Sequence, residues 1–521
     1  MKDPRWTLGV VFLTVLLWFM LEPGKFLPSP LTSIKSAPKK MGASPDLGFT
    51  HQVKAADSNR KSASEGAIAG TETGSGKEVP GERLVRLSSK ENFRKFLSLA
   101  PRGAILGQLD VLNSVRVKTG SWLNDVLGAT GGTASGNFYI RAPEVPLEVM
   151  EKGDAYYRAV GEKALRLIGA EGVTQSWGSG VKVALLDTPL EGVEKIGGET
   201  AGHGTAMRSL IQGSNGPAEG AAPGAELLAF PVLDPGGKGN SFNLAQAIVR
   251  ATDQGVRVIN MSLGSEGDCP VVRDAVAYAL ARNVVLVAAA GNDALNRVSY
   301  PAAYEGVMAV ASVDAGGNHL YFSNRGKSVD VAAPGFAVVA AWPGGKTVEV
   351  TGTSASTALV SGAVAALLSR ESGLTGKQAV ELFTQYADAT GLPGTAEEIG
   401  SGVINLGRVL ERNQRGVVDV AVGGVTMKEE GLQGRIYVGI QNRGTETVNS
   451  PVLEIAAGHE RRKFYFGSIG PGQALSESIT FEWDRARAEG GVNVGVAVHV
   501  RGDQRPENDS WAGYFRISNE R

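Results

Sequence analysis

Four mostly apolar runs, Val181 to Leu186, Glu226 to Val232, Arg257 to Leu263 and Val284 to Ala290, alternate with helically spaced stretches such as Phe242 to Asp253 and Val271 to Arg282. Runs that lack polar alternation suit strands buried on both faces, and helical crossovers between them imply a parallel sheet covered on each side. In such α/β sheets functional groups gather beyond the carboxyl ends of the strands. Asp187 directly follows one run, and Asn292 follows another through Gly291. Further along, the β-branched stretch Val348-Glu349-Val350-Thr351 stops at Gly352, and a small-residue segment with helical spacing, Ser354 to about Ser372, begins at once. That places the Ser354 hydroxyl at a helix N-terminus, where unpaired N–H groups and the positive dipole end can hold negative charge. A serine at such a point is, by itself, an ordinary N-cap.

The flanks have different patterns. Arg83 to Leu87 alternates like a strand, Lys90 to Leu99 has helical spacing, Ile105 to Val117 gives strand runs around a turn, Trp122 to Leu127 reads as a short helix and Phe138 to Arg141 as a strand. Together they predict a small β-α-β-β-α-β unit. After Val417, about seven alternating runs separated by turn sequences such as Gly470-Pro471-Gly472 predict an all-β, Ig-like sandwich; Val492, Val494, Val496 and Val498 form the clearest of them. Lys2 and Arg5 precede an uncharged, mostly apolar stretch from Trp6 to Leu21, read as an export signal that can stay as a membrane anchor. The expected divisions are 1–26 for the signal or anchor, 27–80 for a flexible low-complexity linker, 81–150 for the α+β unit, 151–413 for the α/β domain and 414–521 for the sandwich. The protein is therefore expected outside the cytoplasm, in the periplasm, cell envelope or medium, with membrane attachment through residues 6–21.

Length supports this division, since 521 residues exceed one ordinary core. Lys and Arg (52) balance Asp and Glu (53), which removes the electrostatic case for a nucleic-acid partner. The one cysteine, Cys269, allows neither a disulfide framework nor a cysteine metal site and is expected to be buried as a small apolar residue. No Gly-x-Gly-x-x-Gly or P-loop sequence follows any strand, which disfavours nucleotide binding.

Histidine narrows the chemistry, because the chain has only five. His51 lies in the linker and His459 and His499 in the sandwich, while His319 sits in a turn-like sequence expected to be solvated. His203 remains, held between Gly202 and Gly204 and opening a helix near Thr205. Asp187, His203 and Ser354 thus supply an acid, a base and a hydroxyl nucleophile in that chain order.

Residues of about 175 to 412 resemble a subtilisin-family serine protease. The resemblance rests on Val183 to Thr188, Gly202-His203-Gly204-Thr205, Ser262-Leu263-Gly264, Ala288 to Asn292, Tyr300-Pro301-Ala302, Ala333-Pro334-Gly335 and Gly352 to Ser356, seven motifs in the family's order. It implies a subtilisin-like α/β fold and peptide-bond hydrolysis by a triad of Asp187, His203 and Ser354. It further implies an oxyanion site at Asn292 and the Ser354 N–H, and substrate walls at Ser262, Leu263, Gly264, Ala289, Ala290 and Gly291, with Ser299 near the floor of the primary pocket. No cofactor is implied for the chemistry, and no acidic cluster marks a calcium site, although many relatives carry one. The α+β unit takes the meaning of a pro-segment, an intramolecular inhibitor cut away between roughly residues 141 and 160, with Phe138 to Arg141 in or near the cleft. Pro189 after Thr188, only fifteen residues between Asp187 and His203, Arg208 on the histidine helix and Thr357-Ala358 after the nucleophile motif all depart from the family pattern. None removes a catalytic group, so an active endopeptidase is expected, the alternative being a weak or inactive scaffold on the same fold.

Overall fold

In the computed structural model, residues 77–153, 157–190, 202–214 and 218–517 are described. The apolar run Trp6–Leu21 and nearly all of the expected linker lie outside them. No helix among the described residues is long and apolar enough to cross a membrane.

The first unit comprises β1 (Glu78–Arg86), α1 (Lys90–Leu99), β2 (Ile105–Leu109), β3 (Ser114–Lys118), α2 (Trp122–Thr130) and β4 (Thr133–Arg141). Its sheet starts inside the stretch expected as linker, because Glu78 already pairs with Phe138. Ser89 caps α1 by accepting from the Asn92 N–H at 3.1 Å, and the spacing of Phe93 and Phe96 turns both rings onto the sheet. They meet Val85, Val115, Val117, Leu123 and Val126 in a small core of their own. β4 is longer than its apolar end suggests and runs on to pair antiparallel with β7 (Lys238–Asn240) of the next unit.

That next unit is the expected α/β domain. Its parallel sheet has the order β11-β10-β9-β8-β5-β6, from β5 (Lys182–Asp187), β6 (Glu226–Pro231), β8 (Val258–Met261), β9 (Val285–Ala289), β10 (Val307–Val313) and β11 (Val331–Pro334). The four expected strands are present, and two more extend the sheet. Val183 and Leu185 enter one core with α3 (His203–Gln212) and α6 (Thr353–Arg370), whereas Ala184 and Leu186 enter the other with α4 (Ser241–Asp253) and α5 (Pro270–Leu280). The strand period of two thus feeds both faces, which is why these runs carry no polar alternation.

Helix α6 is buried from Thr353 through Leu368, and its Ala, Ser and Gly side chains let it lie close to its neighbours. A Cβ on Gly362 would stand 2.9 Å from Ala221 Cβ and 3.3 Å from the Ile211 backbone, so this glycine sets the approach of α6 to the end of α3. Cys269 is buried, as expected. Arg208 is exposed on α3 and points its guanidinium to Gln212, so it does not burden the core.

The last unit holds two larger antiparallel sheets and a two-stranded pair, Val448–Asn449 with Ser468–Ile469, over one core. Val420–Glu430, Gln433–Asn442 and Ala474–Glu482 form one; Glu460–Tyr465, Val452–Ala457, Gly491–His499 and Ser510–Arg516, in that spatial order, form the other. Val492, Val494, Val496 and Val498 all face inward. Arg408, only 3% exposed, fastens this unit to the α/β domain: it donates to the carbonyls of Tyr386, Ala387 and Arg443 and to Asp388. A buried guanidinium is tolerated only with such a full set of acceptors.

Candidate active site

Asp187 closes β5 and is 1% exposed. Its Oδ1 accepts from the Thr188 N–H and from His203 Nδ1, each at 2.7 Å. An ionised carboxylate only accepts, so Nδ1 carries the proton and Nε2 of the neutral ring is left as an acceptor. Burial, the largest single influence, works against protonation of His203, but the charge of Asp187 and its hydrogen bond together outweigh it and hold the imidazole pKa above its ordinary value. The two glycines around His203 have steric reasons. A Cβ on Gly202 would lie 2.3 Å from the Trp342 ring, and one on Gly204 would lie 2.5 Å from the Thr188 carbonyl. Without them α3 could not start against the end of β5, and His203 would not reach Asp187.

Ser354 is the second residue of α6, buried to 5% exposure, and its N–H is among the donors that a helix start leaves unpaired. The turn before it needs Gly352: φ is +128°, and a Cβ there would come within 2.7 Å of Asn292 Nδ2. Ser354 and Ser262 exchange two bonds, Ser262 Oγ donating to the Ser354 carbonyl at 3.0 Å and Ser354 Oγ to the Ser262 carbonyl at 3.3 Å. Behind them Asn260 donates to Ser262 Oγ and accepts from Ser361, all three fully buried. Among the described residues no hydrogen bond joins His203 to Ser354; the hydroxyl is turned to Ser262.

Asn292 is 2% exposed and held by its own oxygen, which accepts from the Thr353 N–H at 3.1 Å and the Thr353 hydroxyl at 2.9 Å. Its amide nitrogen is thereby aimed outward, and it donates to the carbonyl of Pro143 at 3.1 Å. Pro143 belongs to the chain leaving β4, and this extension fills the cleft. Tyr139, Ile140 and Arg141 pair with Asn240, Gly239 and Lys238, and on the other side Arg141 and Gly264 exchange both backbone bonds at 3.0 and 2.8 Å. Continued by two residues, that antiparallel register sets Pro143 opposite Ser262. A proline has no N–H to offer there, and the carbonyl it faces is the one taken up by the Ser354 hydroxyl.

Of the expected wall residues, Ser262 and Gly264 border this extension and Gly291 faces Ser299, whereas the others stand behind it. Leu263 and Ala290 bury their side chains in the core, Ala289 pairs within the sheet, and the Ala290 carbonyl is consumed by Ser299 N–H and Asn324 Nδ2. Ser299 is 6% exposed and lies between the two walls: Cβ atoms on Gly264 and Gly291 would meet it at 3.0 and 2.6 Å. His319 is half-buried and bridges to Val313, a correction to the solvated loop expected for it. Asn324, which sequence reading passed over, is fully buried and holds the Asn292 loop in shape by accepting from the N–H groups of Asp293 and Leu295 at 3.0 Å. Nothing in its surroundings, Ser323-Asn324-Arg325, marks it along the chain. Among the described residues no group of three His, Cys, Asp or Glu could hold a metal ion.

The model of the family described as "Subtilase family" matches residues 178–402. The thermostable alkaline protease of Halalkalibacterium halodurans is 36% identical over 251 residues, covering 45% of this chain and 69% of that protein. Subtilisin Savinase of Lederbergia lenta is 34% identical over 244 residues, 44% of this chain and 90% of its own length. Among solved structures, the protease domain of PatA aligns at 30% identity and a TM-score of 0.40, over 44% of this chain and 94% of that domain. With one relative above 30% identity matched over nine-tenths of its own length, and every family motif lying in the α/β unit, the chain belongs to the subtilase family and is a serine endopeptidase.

Proposed function

We propose that Ser354, His203 and Asp187 are the catalytic triad, and that the enzyme's first substrate is its own chain, cut between Pro143 and Glu144. His203 Nε2 takes the Ser354 proton as Oγ attacks the Pro143 carbonyl carbon. The oxyanion that forms is bound by Asn292 Nδ2 and the Ser354 N–H. The C–N bond to Glu144 then breaks, His203 returns its proton to the Glu144 amine, and water hydrolyses the ester left on Ser354. Asp187 fixes the tautomer and balances the imidazolium charge. No step requires a cofactor. The observation that carries the reading is the Pro143 carbonyl on the Asn292 amide, in a segment paired in both directions with Gly264. The cut expected between residues 141 and 160 falls, in this proposal, at the Pro143–Glu144 bond.

On this reading residues 78–143 are a pro-segment that fills the cleft until the cut and inhibits afterwards. Besides the pairing with β7 and Gly264, its grip includes Arg86 paired with Asp274 at 2.6 Å, Asn137 accepting from the Phe242 N–H at the start of α4, and Ser241 donating to the Phe138 carbonyl. Later substrates are extended peptides taking the same place beside Ser262 to Gly264. The charged and apolar pattern of residues 1–26 supports an exported enzyme. The test is mass spectrometry of the purified wild-type chain after treatment with a serine-directed phosphonate. A product beginning at Glu144 and an adduct on Ser354 are expected; a chain that stays whole and takes up no phosphonate ends the proposal.

The missing donor at Pro143 gives a kinetic expectation. In Pro143→Ala an N–H faces the Ser262 carbonyl and competes with the Ser354 hydroxyl for it. One added hydrogen bond, worth about 0.5–1.5 kcal/mol, corresponds to roughly 2- to 13-fold faster conversion. Time courses of the Glu144 product in the two chains decide this, and equal or slower conversion of the variant contradicts it.

A further inference from the structure

Arg141, third residue before the proposed cut, reaches out of the paired segment toward the loop that carries the oxyanion amide. Its Nη2 lies 3.6 Å from Asp293 Oδ1, and its Nη1 lies 3.7 Å from Oε1 of Glu144, beyond the cut. Asp293 follows Asn292 directly, and its N–H is bound by the buried Asn324, which fixes the main chain from which this carboxylate projects. The other acid at this mouth, Glu266, pairs with Arg297 at 2.7 Å. Asp293 has no such resident cation among the described residues; its ion-pair partner is the one supplied by the segment in the cleft. Burial, and secondarily Glu266, push the Asp293 carboxyl above its usual range, with Arg141 the strongest influence in the opposite direction. When the pro-segment leaves, it takes Arg141 with it and uncovers a partly buried carboxylate beside the substrate path.

We infer that Asp293 is a specificity-determining residue that selects a basic side chain at the third position before the bond to be cut, in the chain's own junction and in later substrates. The inference rests on the proposed register, in which Pro143 is the residue attacked. A single pair at this distance, with side chains 22% and 33% exposed, contributes modestly, while an acidic side chain at the same point meets repulsion, so discrimination comes from both.

The test uses the full chain and reads the half-time of conversion to the product beginning at Glu144. Arg141→Glu is expected to slow conversion about five- to tenfold, and Arg141→Lys to stay within about twofold of wild type. Pairing Arg141→Glu with Asp293→Lys should restore the rate to within about twofold, a rescue that a merely structural role for either residue does not produce. The mature enzyme should likewise cut a quenched peptide containing Ile-Arg-Ala-Pro about five- to tenfold better than one containing Ile-Glu-Ala-Pro, and Asp293→Asn should level the two. Equal conversion by Arg141→Glu and Arg141→Lys, or a peptide preference that persists in Asp293→Asn, overturns the inference. If no sample converts, the phosphonate separates the causes: labelled Ser354 without conversion overturns this inference and its register, and unlabelled Ser354 overturns the triad itself.

Discussion

Ser354→Ala is expected to remain uncut between Pro143 and Glu144 under conditions in which the wild-type chain is fully converted. The methyl group fits the site. Its hydroxyl makes one bond of 3.3 Å to the Ser262 carbonyl, and the reciprocal bond from Ser262 uses the Ser354 main chain and survives the substitution. Folding should therefore be spared, and the pro-segment should stay seated on β7 and Gly264. What is lost is the only atom that can bond to the Pro143 carbon. Turnover should fall about 10⁶-fold, the size of the loss in subtilisin itself when its nucleophile is removed. Intact mass at intervals over a day measures this for the junction, and a quenched peptide measures it for substrates added to the chain. Conversion of Ser354→Ala at the wild-type rate, in a preparation free of other proteases, would falsify self-cleavage and assign the cut to another enzyme. Retention of peptidase activity by the variant would displace Ser354 as nucleophile.

The expected parallel sheet and its strand-end aspartate were legible because a strand buried on both faces has few chemical choices, and Val183 to Leu186 uses them. The glycines around His203 and before Ser354 were legible as motif but not as cause. Their reasons, Trp342, the Thr188 carbonyl and Asn292, come from segments distant in the chain. Strand β10, Val307–Val313, follows the same continuous apolar rule as the others and adds nothing new in kind; β11 has four residues and ends at Pro334, too little pattern to separate from a loop. The hairpin Val338–Trp342 and Lys346–Val350 was seen only as its second strand, since the first is distinguished by pairing and not by period. Least legible was Pro143. Within Arg141-Ala142-Pro143-Glu144 nothing marks the proposed cleavage point, and the proposal singles the bond out only by a carbonyl that meets an amide 149 positions away. The departures that weighed on activity prove mild where they can be followed, with Arg208 in solvent and Thr357 bonding the Thr353 carbonyl within its own helix.

Asp187→Asn should cost about 10³- to 10⁴-fold in turnover while leaving the fold and peptide affinity nearly unchanged, the upper figure matching what the triad aspartate is worth in serine proteases, subtilisin included. The loss follows from hydrogen-bond polarity at one position. Oδ1 accepts from both the Thr188 N–H and His203 Nδ1. An asparagine oxygen at the Oδ1 position would keep both bonds but leave its amide nitrogen buried at the Oδ2 position, which has no partner among the described residues, and no carboxylate charge to balance the imidazolium. Turned over, the amide nitrogen donates where the carboxylate accepted, and His203 must present the Nδ1 lone pair and carry its proton on Nε2. The ring is then a donor toward Ser354 and cannot take its proton. The pH profile carries the second half of the expectation. In the wild-type chain Asp187 holds the His203 pKa above 6.5, so activity, which needs neutral imidazole, rises with pH through a midpoint above that value. Removing the charge removes both influences that raise the pKa and leaves burial, which lowers it. The acid limb of the variant should therefore move to lower pH even as its plateau falls. Rates of Glu144 product formation between pH 5 and pH 9 test both features. A variant whose plateau falls while its acid limb stays where it was would show that Asp187 is not what sets the protonation of His203, and the triad would need a different third member.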